Sequence, residues 1–340
     1  MEIRRVQMTG GSSYVLTLPK NWVESLEIKK NDPLGILIQQ DGTLLITKNT
    51  SGDQAQLVKN LEIDEGIDPA FLLRLLIGIY IAGYTLINIS TKDRMTGTIR
   101  KKLREFTNMV IGPEFVEETD HSVRIKDLLN PMEMPIQNSL KRMFLIVKEM
   151  HSDAISAMIN RNNSLLSDVI DRDNDVDRLF WLIARQTNMI LNNIHLSRKM
   201  NISLSELLPQ FQVARIIERV GDHSVRIAKN AQKIHQEDVS DEVHTQIRLA
   251  SEGAMRIFER SIEAFFSHDI KKANKSIEFT YQMEDNYSRI NTEIMAFPAI
   301  IAIPVRNITD SIRRSGEYSA DIAENVINYE MLSEKTTIKR

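Results

Sequence analysis

The sequence predicts a mainly α-helical fold in which two tandem three-helix bundles follow a small all-β domain and a small α/β connector. Three observations support this fold class. From Pro131 onward, apolar residues recur at helical spacing over several long segments. A 16-residue stretch of these helices is repeated 95 positions later, which indicates a duplicated structural unit. Residues 1–49 instead combine short β-branched and aromatic runs with turn-forming residues, a pattern typical of strands.

The composition is that of a soluble globular protein. The 340 residues are 42% hydrophobic and 26% charged, and this length accommodates two or three domains. Because there is no cysteine, a metal ion would have only oxygen and imidazole ligands, and the composition fits a cytoplasmic location. The net charge of −3 provides no overall basic field, so any nucleic-acid binding must come from a local surface.

Insertion into a membrane is not expected. The longest apolar run, Phe71–Tyr84, is broken by Arg74 and is shorter than the ~20 residues that a membrane-spanning helix needs. The first residues, EIRRVQMTGG, lack the apolar core and the cleavage site of a signal peptide. We therefore expect a cytoplasmic protein without a membrane span.

The first domain, residues 1–49, is predicted to contain two hairpins and a short helix. A strand at Tyr14–Leu18 follows a glycine-serine loop, and a proline-initiated helix occupies 19–26. Two further strands, Leu34–Gln39 and Leu44–Thr47, flank the dipeptide Asp41-Gly42, which is a strong hairpin signal.

This domain resembles the AbrB/SpoVT or MazE-like swapped-hairpin domains, on the segment SSYVLTLPKNW, an Asp near Lys30 and the closing DG hairpin. The resemblance implies that two chains exchange hairpins to form an obligate homodimer, and that the dimer surface binds DNA. On this reading the candidate DNA contacts are Arg4, Arg5, Ser12 and Lys20.

Charge gives this DNA-binding interpretation only weak support. Residues 1–49 contain six basic and five acidic side chains, a net charge of +1 that dimerisation doubles. The alternative is a domain that dimerises without binding DNA.

A linker is expected over 50–60, followed by an α/β connector over 61–130. Its basic residues on and near the second helix indicate either a solvated face or a contact with nucleic acid or phosphate; they are Arg94, Arg100, Lys101, Lys102 and Arg104. Glu118 and His121 have the Glu-x-x-His spacing of di-iron bundles, but they fall across a strand and a turn, so we assign them no metal. The predicted elements are helices at 68–82 and 96–108 and strands at 85–90, 114–118 and 122–126.

The helical part is expected to form one bundle over 135–235 and a second over 240–332. Gly221 and Gly316 fall inside predicted helices, where alanine would be favoured by ~1 kcal/mol, so each is expected to allow close approach of a neighbouring helix. His223 is expected to be packed or solvated rather than to bind a metal. The predicted helices are 136–160, 165–194, 203–236, 241–267, 270–295 and 305–331.

Two pairs of acidic residues are the strongest candidate site. Asp173 and Asp177 are four residues apart on one predicted helix, and Glu218 and Asp222 are four residues apart on another. Positions i and i+4 share a helix face, so two antiparallel helices could turn both pairs toward each other. Four carboxylates that close repel one another unless a proton or a cation intervenes, and this favours a metal site over a merely solvated acidic face.

The second copy of the repeat has different residues at the positions of this site. Asp310–Asn325 aligns with Arg215–Asn230, and seven of the 16 positions are identical. Arg313 stands where the first copy has Glu218, so a guanidinium occupies the place of a metal.

Other polar positions of the second copy also differ. Glu317 replaces Asp222, and a weaker match aligns Glu284 with Asp173 and Ser288 with Asp177. We expect an intact metal site in the first copy and, in the second, at most a weak one that would use Glu284 and Glu317.

The segments ERVGDHSVRIA and RSGEYSADIAEN, with the two acidic pairs, resemble the helix motif of PhoU-type phosphate regulators over about 135–331. With the N-terminal domain, the chain is similar to archaeal-type members of that family. The resemblance implies two similar three-helix bundles whose acidic pairs bind metal clusters, with iron or zinc as the metal and magnesium or manganese as further candidates. It also implies a negative regulator of phosphate uptake that acts through protein partners, such as components of a phosphate ABC transporter or a signalling kinase.

Three functions remain open on the sequence. No nucleophile elbow, phosphate-binding glycine loop or zinc-hydrolase motif is present, which favours a regulator over an enzyme. The first hypothesis is a DNA-binding transcriptional regulator with a metal-binding helical sensor domain. The alternative is an adaptor that dimerises through its N-terminal domain and does not bind DNA. A di-metal oxidase is disfavoured because helical Glu-x-x-His motifs are missing.

Overall fold

The structure is a computed structural model that describes residues 2–39, 42–48, 56–64, 66–234 and 239–334. The chain divides into two compact units, Met1–Ala55 and Gln56–Arg340. Among the described residues, no helix is both long enough and apolar enough to cross a membrane.

The N-terminal unit contains two short antiparallel hairpins. Strand β1 (Gln7–Thr9) pairs with β2 (Ser13–Val15), helix α1 spans Lys20–Ser25, and β3 (Gly35–Ile38) pairs with β4 (Leu44–Thr47). The expected strand over 14–18 is thus shorter and begins one residue earlier. In the second predicted turn, Gly42 has a φ of 82°, a left-handed value that favours glycine, while Asp41 lies outside the described residues.

The described residues of this unit form no buried core. None of its described residues is buried, and large apolar side chains face outward. The exposed fractions of Tyr14, Ile38 and Leu44 are 78%, 72% and 61%. A chain segment that buries so little apolar surface cannot offset the entropy lost on ordering, so it needs a partner surface.

The connector is a four-stranded sheet with the order β5-β6-β8-β7, in which β5 is parallel to β6 and the other neighbours are antiparallel. The linker was expected to extend to residue 60, and this boundary is wrong, because β5 already begins at Val58, which pairs with Leu86. The error has a physical cause: β5 is an edge strand with a single neighbour, so its side chains are mostly exposed and its apolar alternation is weak. The elements are β5 Val58–Glu62, α2 Pro69–Ile81, β6 Leu86–Ser90, α3 Gly97–Met109, β7 Pro113–Glu118 and β8 Ser122–Asp127.

Helices α2 and α3 provide the apolar partners of the connector sheet. The predicted cap of α2 is confirmed, since the Asp68 carboxylate accepts hydrogen bonds from the backbone N–H groups of Ala70 and Phe71. The strands β6 and β8 contribute inward-facing aliphatic residues at alternate positions. The buried residues of this core include Leu72, Leu76, Ile87, Ile89, Leu103, Phe106, Val123 and Ile125.

The remaining chain forms two helical bundles. Helices α4, α5 and α7 pack together as the first bundle, and α8, α9 and α10 form the second. Because α10 also packs along α7, one hydrophobic core is continuous through both bundles. The helices are α4 Ile136–Ile159, α5 Asn163–Asn192, α6 Ile194–Lys199, α7 Leu204–Ala231, α8 Asp241–Ser267, α9 Ile270–Glu293 and α10 Ala299–Glu334.

Two helix boundaries differ from the prediction. Helix α6 was not expected, because six residues are too few to show a helical period, and it starts after a cap by the Asn193 side chain. Helix α10 begins at Ala299 instead of residue 305, with Pro304 inside it. Proline lacks the N–H that would bond to the carbonyl four residues earlier, so the sequence suggested a helix start there. The expected end of α7 at residue 236 is wrong, because α7 ends at Ala231 and Gln232 is its C-cap.

A buried arginine joins the first bundle to the connector. Arg185 of α5 is 1% exposed and donates a 2.7 Å hydrogen bond to Oδ2 of Asp127 at the end of β8. It also donates to the backbone carbonyl of Tyr80, and its guanidinium lies 4.7 Å from the centre of the Tyr80 ring. This one side chain therefore ties α5 to both α2 and the sheet.

Replacing this arginine is expected to destabilise the protein strongly. Arg185→Ala leaves the buried Asp127 carboxylate without its partner, and we expect a loss of about 3–5 kcal/mol in the free energy of unfolding. Urea unfolding measures it. The control is Arg248→Ala, which removes an exposed i, i+4 pair with Glu252 and should cost under about 1 kcal/mol. Equal losses in the two variants would show that the buried pair has no special role.

Candidate functional site

The two acidic pairs meet between α5 and α7. Asp173 and Asp177 lie on α5 beside the buried Val176, and Glu218 and Asp222 lie on α7. All four carboxylates are half-buried, at the border between the hydrophobic contact of the helices and solvent. The structure thus brings together the four side chains that the sequence singled out.

Gly221 allows α7 to approach α4, which carries Val147, while its contact with α5 is an ordinary one. A Cβ atom at this position would lie 3.3 Å from Cγ2 of Val147 and 3.8 Å from Oδ1 of Asp173. The close approach expected at this glycine is confirmed. The second expected contact is looser, since a Cβ at Gly316 would lie 3.5 Å from the Tyr287 hydroxyl.

Burial and mutual repulsion disfavour the charged form of Asp173, Asp177 and Glu218. Burial, then the charges of Asp173, Glu218 and Asp222, raises the pKa of Asp177 to about 7. Burial and Asp222 raise the pKa of Asp173 to about 6, against a smaller opposing effect of Lys229. The pKa of Glu218 is also raised, mainly by burial and Asp222. Near neutral pH the cluster therefore gains from either a proton or a cation.

The donor set suits a hard cation, although the side chains are not yet arranged as ligands. Among the described residues, none of the four carboxylates has an ion pair or a hydrogen bond to another side chain. No group of three or more histidine, aspartate or glutamate side chains in the described part of the chain has the geometry to hold a metal ion. Half-buried, unpaired oxygen ligands of like charge are what a cation would neutralise. Binding would require the carboxylates to rotate toward one point.

The corresponding place in the second bundle already contains a cation. Arg313 of α10 donates to Oε1 of Glu317 at 2.6 Å and to Oδ1 of Asp310 at 2.8 Å. Arg314 binds the other Glu317 oxygen at 2.9 Å. Glu317, a candidate ligand of the predicted weak second site, is therefore already neutralised by arginines. The side chain of the other candidate, Glu284, lies outside the described part.

Comparison with known proteins agrees with the duplicated bundles. Residues 140–231 and 247–326 match the PhoU domain, and together they span half of the chain. The chain belongs to the PhoU family. Residues 7–54 match a second family, the antidote-toxin recognition protein MazE, a bacterial antitoxin. Both resemblances suggested by the sequence are thus confirmed.

Individual PhoU proteins are similar to this chain at low identity. Phosphate-specific transport system accessory protein PhoU homolog 1 of Thermotoga maritima is 22% identical over 201 residues, which are 57% of this chain and 85% of that protein. The PhoU homolog of Pseudomonas aeruginosa is 20% identical over 202 residues, 56% of this chain and 81% of that protein.

Two crystal structures share the fold. The phosphate transport system regulatory protein PhoU from Streptococcus pneumoniae has a TM-score of 0.50 at 19% identity, covering 57% of this chain and 93% of its own. PhoU from Pseudomonas aeruginosa has a TM-score of 0.52 at 18% identity, covering 58% of this chain and 95% of its own. The connector lies outside both of the segments that match the PhoU domain.

Where the PhoU bundle meets this connector, a cleft of about 460 Å³ opens beside Asp177. Lys101 and Arg104 of α3 line one side, and Arg178 and Trp181 of α5 line the other. Neither Arg178 nor Trp181 was predicted to line a site, although position 181 lies about one helical turn after Asp177. The cleft gives solvent a route to one member of the carboxylate cluster.

The basic side chains on and near α3 are mostly paired within the connector. Arg100 and Arg104 both bind Glu118, the latter at 3.3 Å, so Glu118 is engaged by arginine. Lys102 binds Glu105 at 2.7 Å. These pairs support the interpretation of this surface as a solvated face.

The four candidate DNA contacts of the MazE-like unit have different surroundings. Arg4 is half-buried, donates to the Thr17 hydroxyl at 3.0 Å and pairs with Glu2. Arg5 is exposed, and Ser12 lies in the turn between β1 and β2. Lys20 is exposed at the start of α1, with Glu24 3.7 Å away. Of the three cations among these candidates, Arg5 and Lys20 are thus more accessible than Arg4.

Proposed function

We propose that this PhoU-family protein is a cytoplasmic regulator of phosphate uptake and signalling, and not an enzyme. The observation that carries the proposal is the cluster of unpaired carboxylates between α5 and α7, in bundles that match the PhoU domain. Its relatives are named as accessory proteins of phosphate-specific transport, and these names indicate the process that is regulated. Components of a phosphate ABC transporter or of a signalling kinase are the corresponding partners.

The metal ligands in this proposal are Asp173, Asp177, Glu218 and Asp222. Iron or zinc is the metal that the family resemblance implies, and the all-oxygen donor set also suits magnesium or manganese. When bound, the ion supplies positive charge that offsets the repulsion of the four carboxylates. The side chains themselves would link α5 to α7, and so fix the relative position of two helices of the first bundle.

The carboxylate cluster of the metal-free protein should lose its own contribution to stability as the pH rises from 5 to 8. The buried His151 and His223 act in the opposite direction below pH 6.5, because burial lowers their pKa values to about 3 and about 4, so the contribution of the cluster is measured against a variant. The folded-state pKa values of Asp173 and Asp177, about 6 and about 7, lie above the ordinary value of 3.8. A raised pKa stabilises the folded state below the unfolded pKa, and this contribution is lost as the pH passes the folded pKa. Because both groups are partly solvated, we expect their contribution to the free energy of unfolding to fall by about 3 kcal/mol.

Urea unfolding of chelator-treated protein at several pH values measures this loss. Asp177→Asn keeps the shape of the side chain without its charge, so this variant should lose much of the pH dependence. Parent and Asp177→Asn proteins with the same pH dependence of stability would contradict the expected repulsion within the cluster.

The N-terminal unit is proposed to form a swapped-hairpin homodimer that binds DNA. The support is its lack of any buried described residue together with its match to the MazE family. Arg5 and Lys20 would contact phosphates, with Ser12 and Arg4 beside them. The helical unit would sense the phosphate or transporter state through protein contacts, and the N-terminal unit would convert this state into DNA binding.

Deletion of residues 1–49 tests the transcriptional role. The expected result is loss of promoter occupancy and altered transcription of phosphate-uptake genes. Unchanged occupancy and transcription would remove DNA binding from the proposal. A purified dimer that retards no DNA at low salt would favour the adaptor alternative, because non-specific phosphate contacts are strongest there.

A further inference from the structure

The second bundle contains a polar cleft of about 660 Å³ between α9 and α10. Ser288 and Arg313 line it, at the positions where the first bundle has Asp177 and Glu218. The structure supports this alignment. Tyr287 on α9 and Val176 on α5 stand at aligned positions, and both are buried. The duplicated unit has therefore exchanged two carboxylates for a hydroxyl and a guanidinium.

The space itself arises from a second exchange. In the first bundle, the rings of Phe180 and Phe211 stack with their centres 6.0 Å apart. The same alignment places Asn291 and Arg306 at these positions, and both line the cleft. Two packed aromatic rings are thus replaced by polar side chains, and these side chains line the cleft.

Hydrogen-bonding groups in this cleft are available for a ligand. Arg306 is exposed and has no ion pair or hydrogen bond with a described residue. The amide oxygen of Asn291 is buried without a partner among the described residues, so it can accept a hydrogen bond from a protonated group of a ligand. The Ser288 hydroxyl is likewise unused within the described part, whereas the Thr292 and Thr309 hydroxyls bond to helix carbonyls.

Among the described residues, one carboxylate lines the cleft, and an arginine already offsets its charge. Asp310 binds Arg313 at 2.8 Å, and Glu317 behind it is held by Arg313 and Arg314. Arg306 therefore contributes a positive charge that no described carboxylate neutralises. An anion in this cleft would meet guanidinium and hydroxyl donors, and the Asn291 oxygen could accept from a protonated phosphoryl oxygen.

We infer that the cleft between α9 and α10 binds a phosphoryl anion, either inorganic phosphate or the terminal phosphate of a small organic ligand. The choice of phosphate over other oxyanions rests on the proposed function; the anionic character of the ligand rests on the cleft alone. One bundle of the repeat would then carry a cation site and the other an anion site, built from equivalent positions.

Calorimetric titration of the chelator-treated full-length protein tests this inference. The titrants are inorganic phosphate and adenosine monophosphate, with sulfate as the comparison. We expect saturable phosphate binding that Arg306→Ala weakens at least tenfold. The matched control is Arg289→Ala, which removes an exposed arginine of α9 outside the cleft and should change the affinity less than twofold. A double variant, Asn291→Phe/Arg306→Phe, restores the two rings of the first bundle and should abolish binding.

The outcomes separate the two sources of the phosphoryl group. Saturable binding of either titrant that is lost in the Arg306→Ala variant supports the inference, and the tighter of the two identifies the source. Binding that survives this substitution, or no binding of either titrant, overturns it. Sulfate binding as tight as phosphate binding would support an anion site and remove its link to the proposed function. Because chelator is present, a failure here leaves the metal cluster and the regulatory role untouched.

Discussion

The double variant Asp173→Ala/Glu218→Ala is expected to lose the metal that the parent protein retains. Each substitution removes one carboxylate from one of the two helices, so that neither i, i+4 pair remains complete. Two carboxylates offer too few ligands for a six-coordinate ion, and the affinity should fall by orders of magnitude. Elemental mass spectrometry of untagged protein, purified without chelator, is the measurement. We expect stoichiometric metal in the parent and a trace in the variant.

A matched control lies on the same helix. Asp171→Ala/Asp175→Ala also removes two carboxylates from the chain, but both are exposed and outside the cluster. It should keep the metal content of the parent. Substoichiometric metal in all three proteins would mean that the acidic pairs are a solvated or vestigial feature, and that the helical domain is a scaffold for protein contacts.

The same variants give a second readout that needs no metal. Removing two of four carboxylates that repel one another should stabilise the metal-free protein at pH 8, where the cluster is most charged. The control variant should show no comparable gain. A loss of stability in Asp173→Ala/Glu218→Ala would show instead that the carboxylates contribute favourable contacts within the bundle.

The carboxylate cluster could be predicted from the sequence because it depends on helical spacing alone. Asp173 and Asp177 share a face whatever the rest of the fold does, and Glu218 and Asp222 have the same spacing on a second predicted helix. Gly221 was informative for a similar reason, since a glycine inside an amphipathic helix indicates a close neighbour. Local regularity and self-similarity are properties that one sequence displays.

Contacts between distant segments could not be predicted in this way. Arg185 and Asp127 are adjacent only because α5 docks on the connector, and nothing in the periodicity of either segment pairs them. The cleft at Asn291 and Arg306 is a similar case. Polar residues such as these are common on helices. Their significance is seen only when they are compared with the stacked rings at the aligned positions of the first bundle. Edge strand β5 escaped notice because a strand with one neighbour shows weak alternation.

Two charges placed on the second hairpin are expected to dissociate the dimer. Ile38 and Leu44 are paired neighbours on β3 and β4, and both are exposed within the single chain. A partner chain that covers them would contribute about 1.5–3 kcal/mol per side chain. Ile38→Glu/Leu44→Glu changes four such side chains in a dimer, so the dissociation constant should rise by a factor of more than ~10⁴.

Light scattering coupled to size exclusion distinguishes the outcomes. The parent should have twice the mass of the chain, and Ile38→Glu/Leu44→Glu should have the mass of a single chain and lose retention on DNA. The matched control Leu145→Glu/Leu249→Glu also replaces two exposed leucines, on α4 and α8, and should remain a dimer. If the control dissociates instead, the helical bundles provide the dimer interface. The exposed apolar surface of the hairpins would then need another partner, because a unit without a buried residue cannot be stable alone.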